Sequence, residues 1–303
     1  MRGQPTRRPS LKGVTVLQVE ISVILPAHNE AVHIGEQLDA LATQNFDGTW
    51  EIIVVDNNST DATADIVRSH SNRHPRIHLV TAQERSDKSY AVEVGIASAQ
   101  ATNLAFCDAD DVVAPGWVAS IALGLIDHEV VTGPNDLRKL NPKWLAVSRG
   151  RSAQDAVGTF HGLFPCLRGS NYGLRRDVFE RIGYLRPGFY PVEDLEFSYR
   201  CWTNGIDIVG LPDAIVHYRY RQAAGDLWRQ GFKYGAGRVR IARLLRDEGR
   251  PRPPRFGGWK SWVMLVVTLP KVVTKTGGAR WLWIAGNRFG QVAGSIRYRT
   301  LML

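Results

Sequence analysis

The chain has 303 residues, 44% hydrophobic and 22% charged, which is the composition of a folded protein and excludes a disordered one. Three scattered cysteines (Cys107, Cys166, Cys201) exclude a disulfide scaffold and a four-cysteine zinc site, and fit a reducing compartment. The net charge of +9 divides unevenly: residues 1–13 carry +4, residues 14–216 carry −10 and residues 217–303 carry +15. An acidic body with a basic tail points to contact with a polyanion, either nucleic acid or an anionic membrane face.

Residues 21–25 (Ile-Ser-Val-Ile-Leu) predict a buried strand ending at Pro26. Residues 30–42 then place Ile34, Leu38, Leu41 and Ala42 at helical spacing. A second strand at Ile52–Val55 stops at the turn-rich run Asp56-Asn57-Asn58-Ser59-Thr60-Asp61, and a helix is predicted over 62–69. A third strand at 77–80, a third helix at 88–99 and a fourth strand at 104–107 follow, the last ending at Asp108-Ala109-Asp110-Asp111. This alternation predicts βαβ units and a mostly parallel sheet, whose ligands sit beyond the carboxyl ends of the strands. Asn29, Glu30, Asp56 and Asp108–Asp111 all fall at such ends.

After Gly133 the pattern becomes irregular through Arg168. A helix opening is predicted at 194–202, with short strands at 206–209 and 214–216. The prolines of residues 250–255 predict a linker, and the apolar run 262–269 is ended by Pro270 and Lys271. No uncharged apolar run reaches about 18 residues, so a spanning helix is not expected. Met1–Gly13 is basic but lacks the apolar centre of a signal peptide.

Asp108, Asp110 and Asp111 offer hard oxygen ligands that suit Mg²⁺ or Mn²⁺ together with a substrate diphosphate. Taken alone, Asp-x-Asp reads more readily as a solvated turn capping the helix that starts near Pro115, and its place at the carboxyl end of a strand favours the ligand reading. Glu193-Asp194 reads either as acids in a helix's first turn or as a pair containing a general base. Glu196 and Arg200 fit an ordinary i, i+4 pair, His217 fits a satisfied, partly buried side chain, and Lys88 fits a surface charge.

In order, Val23-Ile-Leu-Pro-Ala-His-Asn-Glu30, Ile53-Val-Val-Asp-Asn-Asn-Ser-Thr-Asp61, Phe106-Cys-Asp-Ala-Asp-Asp111, Gly169-Ser-Asn171 and Glu193-Asp-Leu-Glu196 with Arg200 resemble family 2 glycosyltransferases of the GT-A fold. The resemblance covers about residues 20–220. It implies an α/β fold with a mostly parallel sheet flanked by helices, and three regions: a basic extension at 1–18, a catalytic domain at 19–220 and a basic aromatic region at 221–303. It implies that Pro26, Ala27, Asn29, Glu30, Asp56, Asn58 and Lys88 line the nucleotide side. Asp108 should contact ribose and metal-diphosphate, Asp110 and His217 should hold Mg²⁺ or Mn²⁺, and Asp194 should be the base with Glu193 assisting. Diphosphate leaves readily once a divalent ion neutralises it, so one base suffices and inversion is expected. The processive members' Gln-x-x-Arg-Trp motif is matched only by Gln230-Gly-Phe-Lys-Tyr234, which argues for adding one or a few sugars per acceptor.

The tail combines its charge with Trp228, Trp259, Trp262, Trp281 and Trp283, which predicts peripheral attachment to the cytoplasmic leaflet and a lipid-linked or cell-envelope acceptor. Packing of these tryptophans against the catalytic domain or a partner is the other reading. Two competing functions are a sugar-phosphate nucleotidyltransferase, disfavoured by a first loop lacking glycine, and a non-enzymatic polyanion binder, which leaves the carboxylate series without a purpose.

Overall fold

The computed structural model describes residues 19–149 and 156–302; the expected basic extension at 1–18 lies outside the described residues. The first half alternates β1 (Ile21–Ala27), α1 (Ile34–Ala42), β2 (Trp50–Asp56), α2 (Thr63–Arg73), β3 (Ile77–Thr81), α3 (Lys88–Ser98) and β4 (Asn103–Cys107). There follow β5 (Val112–Val113), α4 (Trp117–Asp127), β6 (Val130–Thr132), β7 (Asn135–Asp136), α5 (Lys143–Ser148), β8 (Gly158–Phe160), β9 (Phe164–Cys166) and β10 (Asn171–Arg175). The rest comprises α6 (Arg176–Ile182), α7 (Glu193–Thr203), β11 (Ile208–Gly210), β12 (Val216–His217), α8 (Ala224–Asp247), α9 (Trp259–Val267), a 3₁₀ turn (Leu269–Val273) and α10 (Lys275–Arg297).

Among the described residues, seven strands form one sheet in the order β11-β6-β10-β4-β1-β2-β3. β10 runs antiparallel to both of its neighbours, and the other pairings are parallel. Every residue of β2 is buried, as a central parallel strand covered by helices on both faces requires. Its one interior acid, Glu51, accepts from Ser22 Oγ at 2.6 Å and from the Gln100 amide at 2.7 Å. Ala27, Asp56 and Thr81 are in register, so the parallel strands end along one edge.

One boundary differs from the sequence expectations. Residues 30–33 form a turn, and α1 starts only at Ile34, because Asp61 and Thr63 take up the amides of Ala31 and Glu30. Region 221–303 packs against the rest of the fold: Ile241 and Leu245 of α8 share a buried cluster with Phe160, Phe164, Val192 and Tyr199. α8 lies so close to α10 that a Cβ on Gly235 would collide with the Asn287 carbonyl, and one on Gly290 with that of Phe232. Four of the five tail tryptophans are drawn into this packing. Trp228 and Trp262 lie against Phe289, Trp283 lies against Tyr234, and Trp281 Nε1 donates to the Leu265 carbonyl. Only Trp259 is largely exposed. It is joined by Phe256, Val263, Val266, Val267, Leu269 and Val273 in an apolar strip. No helix among the described residues is long and apolar enough to cross a membrane.

Candidate active site

A cavity of about 970 Å³ opens beyond the strand ends. Pro26, Ala27, Glu30, Lys88, Asp108, Asp110, Glu193 and Asp194 all line it, so eight of the expected site residues meet in one place. Asp108, Asp110 and Asp111 follow β4, and their carboxylate oxygens lie within 4.8 Å of one another. Burial raises the pKa of Asp110, and repulsion from Asp108 adds to this. Asp111 is raised further by burial and by both neighbours. Its Oδ1 accepts the Arg219 amide at 2.8 Å, while its buried Oδ2 has no hydrogen-bond partner. Three crowded carboxylates with an orphaned buried oxygen are a donor set that fits a hard divalent cation. Arg221 Nη2 lies 3.2 Å from Asp110 Oδ2 and 3.7 Å from Glu30 Oε1. Burial nevertheless pushes Glu30 up to about 7, with Asp110 contributing and Arg221 opposing.

Lys88, at the start of α3, connects this cluster to the second carboxylate group. Its ammonium donates to Asp108 Oδ1 at 2.7 Å and lies 3.9 Å from Glu193 Oε1. Burial disfavours its charge, but the two carboxylates outweigh burial and hold its pKa well above the usual value. Asp194 Oδ1 accepts the Leu195 amide and Oδ2 the Gly169 amide. Burial raises Asp194 despite these bonds. Burial also lifts Glu193, to about 7, with Lys88 opposing and Asp194 adding. Burial thus raises both carboxyls of the pair, and Lys88 opposes the rise in both.

Four expected residues are not among those that line the cavity. Asn29 (φ 55°) and Asn58 (φ 59°) hold left-handed turns, a conformation asparagine tolerates. Asn29 Oδ1 accepts the Thr60 amide at 2.7 Å, and Asn58 Nδ2 donates to the Gln83 carbonyl and to Ser86 Oγ. Asp56 Oδ1 accepts the Ser59 amide. His217 Nδ1 pairs with Asp136 Oδ2 at 2.9 Å, across the β12–β7 pairing, and its other strand neighbour is Val112, the residue after Asp111. Burial raises Asp136, but the His217 hydrogen bond and backbone amides win and hold it low. Glu196 and Arg200 form a buried structural pair in which Arg200 also donates to the carbonyls of Ile182, Gly183 and Tyr184.

Sequence reasoning missed several lining residues. Asn57 lies in the wall, fixed by donating to the Ala82 and Arg85 carbonyls at 2.7 Å each. The alternation Tyr218-Arg219-Tyr220-Arg221 runs along the cavity, and one face of α8 supplies Asp226, Arg229, Gln230, Lys233, Tyr234 and Arg238. The helical spacing of that last set was a readable signal.

A model of glycosyl transferase family 2 matches residues 22–183, more than half of the chain. The chain belongs to glycosyl transferase family 2. A model described as glycosyl transferase family group 2 matches residues 104–289. Among curated family relatives, the probable glycosyltransferase YdaM of Bacillus subtilis is 27% identical over 72% of this chain and 55% of its own. Glycosyltransferase AglE of Haloferax volcanii is 25% identical over 83% of this chain and 82% of its own. The dolichyl-phosphate β-glucosyltransferase of Drosophila melanogaster is 32% identical over 50% of this chain and 46% of its own. This chain thus spans about half the length of the Bacillus and Drosophila proteins. The fold is GT-A. It resembles that of the mannosyltransferase PcManGT from Pyrobaculum calidifontis, solved with GDP-Man and Mn²⁺ (TM-score 0.65, 18% identity, 91% of this chain and 88% of that one). It also resembles glucosyl-3-phosphoglycerate synthase from Mycobacterium tuberculosis, solved with Mg²⁺ and UDP (TM-score 0.52, 21% identity, 76% and 80%).

Proposed function

We propose that this chain is an inverting, metal-dependent glycosyltransferase. It moves a sugar from a nucleoside-diphosphate sugar to the hydroxyl of a lipid-linked or cell-envelope acceptor, one or a few sugars at a time. One juxtaposition carries the reading: the aspartates ending β4 and the carboxylate pair opening α7 face a single cavity, with Lys88 between them. The relatives' nucleotide-sugar and divalent-ion complexes support the donor and the ion, and a dolichyl-phosphate relative supports a lipid acceptor.

Pro26, Ala27, Glu30 and Asn57 form the floor for the nucleotide, and Asp108 and Asp110 would hold Mg²⁺ or Mn²⁺. When bound, the ion neutralises charge growing on the diphosphate leaving group. Asp194 takes the proton of the acceptor hydroxyl, with Glu193 assisting, and Lys88 favours the ionised form of the pair. Attack from the face opposite the diphosphate inverts the anomeric centre. Because diphosphate needs no protonation to leave, the two-carboxylate arrangement of glycoside hydrolysis is unnecessary. The apolar strip on α9, flanked by Lys260, Lys271 and Lys275, supports peripheral attachment to an anionic leaflet at the cytoplasmic face.

The test is a panel of sugar nucleotides scored for thermal stabilisation and hydrolysis, with and without Mn²⁺. One donor should stabilise the wild type only with the ion, and Asp110→Ala should lose the metal-stimulated part. Equal behaviour of wild type and Asp110→Ala at saturating Mn²⁺ refutes the assignment.

A further inference from the structure

We infer that Arg221 is a built-in counter-cation that couples the ion to the donor: its guanidinium pairs with Asp110 and Glu30, and turns to the donor's diphosphate when Asp110 is given over to the ion. The inference rests on the transfer reading above and adds a coupling to it, in which the ion and the diphosphate each ease the entry of the other.

Four carboxylates gather at this edge of the cavity: Glu30, Asp108, Asp110 and Asp111. Among the described residues, two side-chain cations reach ion-pair distance of them, and the two are held differently. Lys88 is mostly shielded and sits between two carboxylates, 2.7 Å from Asp108 Oδ1 and 3.9 Å from Glu193 Oε1. Arg221 is half-exposed, and its Nη2 makes the closest approach to both partners, 3.2 Å to Asp110 Oδ2 and 3.7 Å to Glu30 Oε1.

The backbone makes the side chain, and not the whole segment, the movable part. Arg219 ties the segment down at three points: its amide donates to Asp111 Oδ1 at 2.8 Å, its Nε to the Asp110 carbonyl at 2.9 Å and its Nη2 to Glu36 Oε2 at 2.5 Å. The Tyr220 amide donates to Asn141 Oδ1 at 2.8 Å. From Arg221 to Gly225 the chain is exposed. Arg221 thus follows directly on the last pinned residue. Its root is fixed beside Asp110, and its long side chain can swing within the cavity that it lines.

Charge decides the direction of that swing. A divalent ion on Asp110 and a guanidinium 3.2 Å from the same carboxylate repel each other, so the two compete for Asp110. A guanidinium that leaves Asp110 needs another anion, and its planar fork matches phosphate oxygens bidentately. In the transfer reading, the diphosphate of the donor is the anion that enters here. Lys88 is unsuited to the exchange, because leaving its place strips two carboxylates, one of them in the proposed base pair. By linkage the coupling runs both ways: diphosphate that draws off Arg221 tightens ion binding, and an ion that releases Arg221 tightens diphosphate binding.

The full chain and its Arg221→Gln and Arg221→Lys variants are titrated with Mn²⁺ without nucleotide, and free Mn²⁺ is read by electron paramagnetic resonance. Each is then titrated calorimetrically at saturating Mn²⁺ with a panel of nucleoside diphosphates. Arg221→Gln should bind Mn²⁺ about threefold to tenfold more tightly, because a partly exposed competing cation is gone. The same variant should bind the wild type's preferred nucleotide about tenfold more weakly, the loss expected for a hydrogen bond to a charged group. Opposite signs are the signature, since damage to the site weakens both. Arg221→Lys keeps the charge and loses the fork, so its Mn²⁺ affinity should stay near that of the wild type while its nucleotide affinity falls. A folded Arg221→Gln chain that binds Mn²⁺ no more tightly than the wild type overturns the inference, as does either variant binding the nucleotide as well as the wild type or better. If Arg221→Gln melts early, the nucleotide affinity of Arg221→Lys decides alone. A wild type that binds Mn²⁺ and a nucleotide, with variants indistinguishable from it, sinks only this inference. A wild type that fails to bind Mn²⁺, or every nucleotide, sinks the transfer reading and this inference with it. Both shifts without metal-stimulated hydrolysis of any sugar nucleotide sink only the transfer reading.

Discussion

Replacing Lys88 with glutamine should move the pH profile of the reaction toward alkali. In the wild type the ammonium lies 3.9 Å from Glu193 Oε1, and both groups are mostly shielded from solvent. At that distance Coulomb's law gives about 4 kcal/mol for an effective dielectric of ~20 and about 2 kcal/mol for ~40. At about 1.4 kcal/mol per pH unit, losing the charge raises the pair's apparent pKa by about 1.5 to 3 units. The sign follows from which form Lys88 favours. It stabilises the ionised carboxylate, so removing it favours the protonated one, and the base is ionised only at higher pH. The acid limb of kcat/KM for metal-stimulated turnover should therefore shift upward by at least about one unit. Glutamine keeps the size and a donor toward Asp108, so lost packing does not account for such a shift. A limb that stays in place, or moves to lower pH, refutes the coupling.

Asp194→Asn should lower turnover by about 10²–10⁴-fold with donor affinity little changed, and a full-rate variant would transfer the base role to Glu193 for testing. Arg200→Ala should destabilise the fold by about 3 kcal/mol, because it leaves the buried carboxylate of Glu196 with only the half-exposed Arg186 at 3.2 Å and takes the donor from three carbonyls, and thermal denaturation should show a drop of several degrees. Val266→Asp combined with Val267→Asp should cut flotation with anionic liposomes at least about tenfold while sparing donor hydrolysis, since the two valines are 75% and 69% exposed. Unchanged flotation would remove α9 from the membrane contact.

The first half of the fold was legible because each βα unit announces itself. Apolar β-branched runs stop at acid- and asparagine-rich turns, and the parallel arrangement brings those turns to one edge. Pro26, Glu30, Asp108 and Asp110 could thus be placed together without coordinates. The left-handed turns at Asn29 and Asn58 were not legible, because an asparagine suited to touching a ligand is equally suited to such a turn and the sequence shows no φ. His217 precedes a run that lines the cavity, and its pairing with Asp136 could not be read beforehand because the two lie 81 residues apart in the chain. The α8 contribution was hidden by composition. A basic, aromatic segment reads as surface, whereas here one stripe faces the cavity and the glycines on another allow α10 to approach.

That helix pair has a practical consequence for dividing the protein. Ending the chain near residue 250 would remove α10 and with it Trp283, the ring that orients Arg149. It would also uncover the side of α8 on which Gly231 and Gly235 meet the α10 backbone. Such a truncation changes attachment, stability and the cavity at once, and no loss it causes can be attributed to any one of them. The proposed catalytic cavity and the proposed attachment strip are therefore not separable by truncation, and point changes on the outward strip of α9 test the second without disturbing the first.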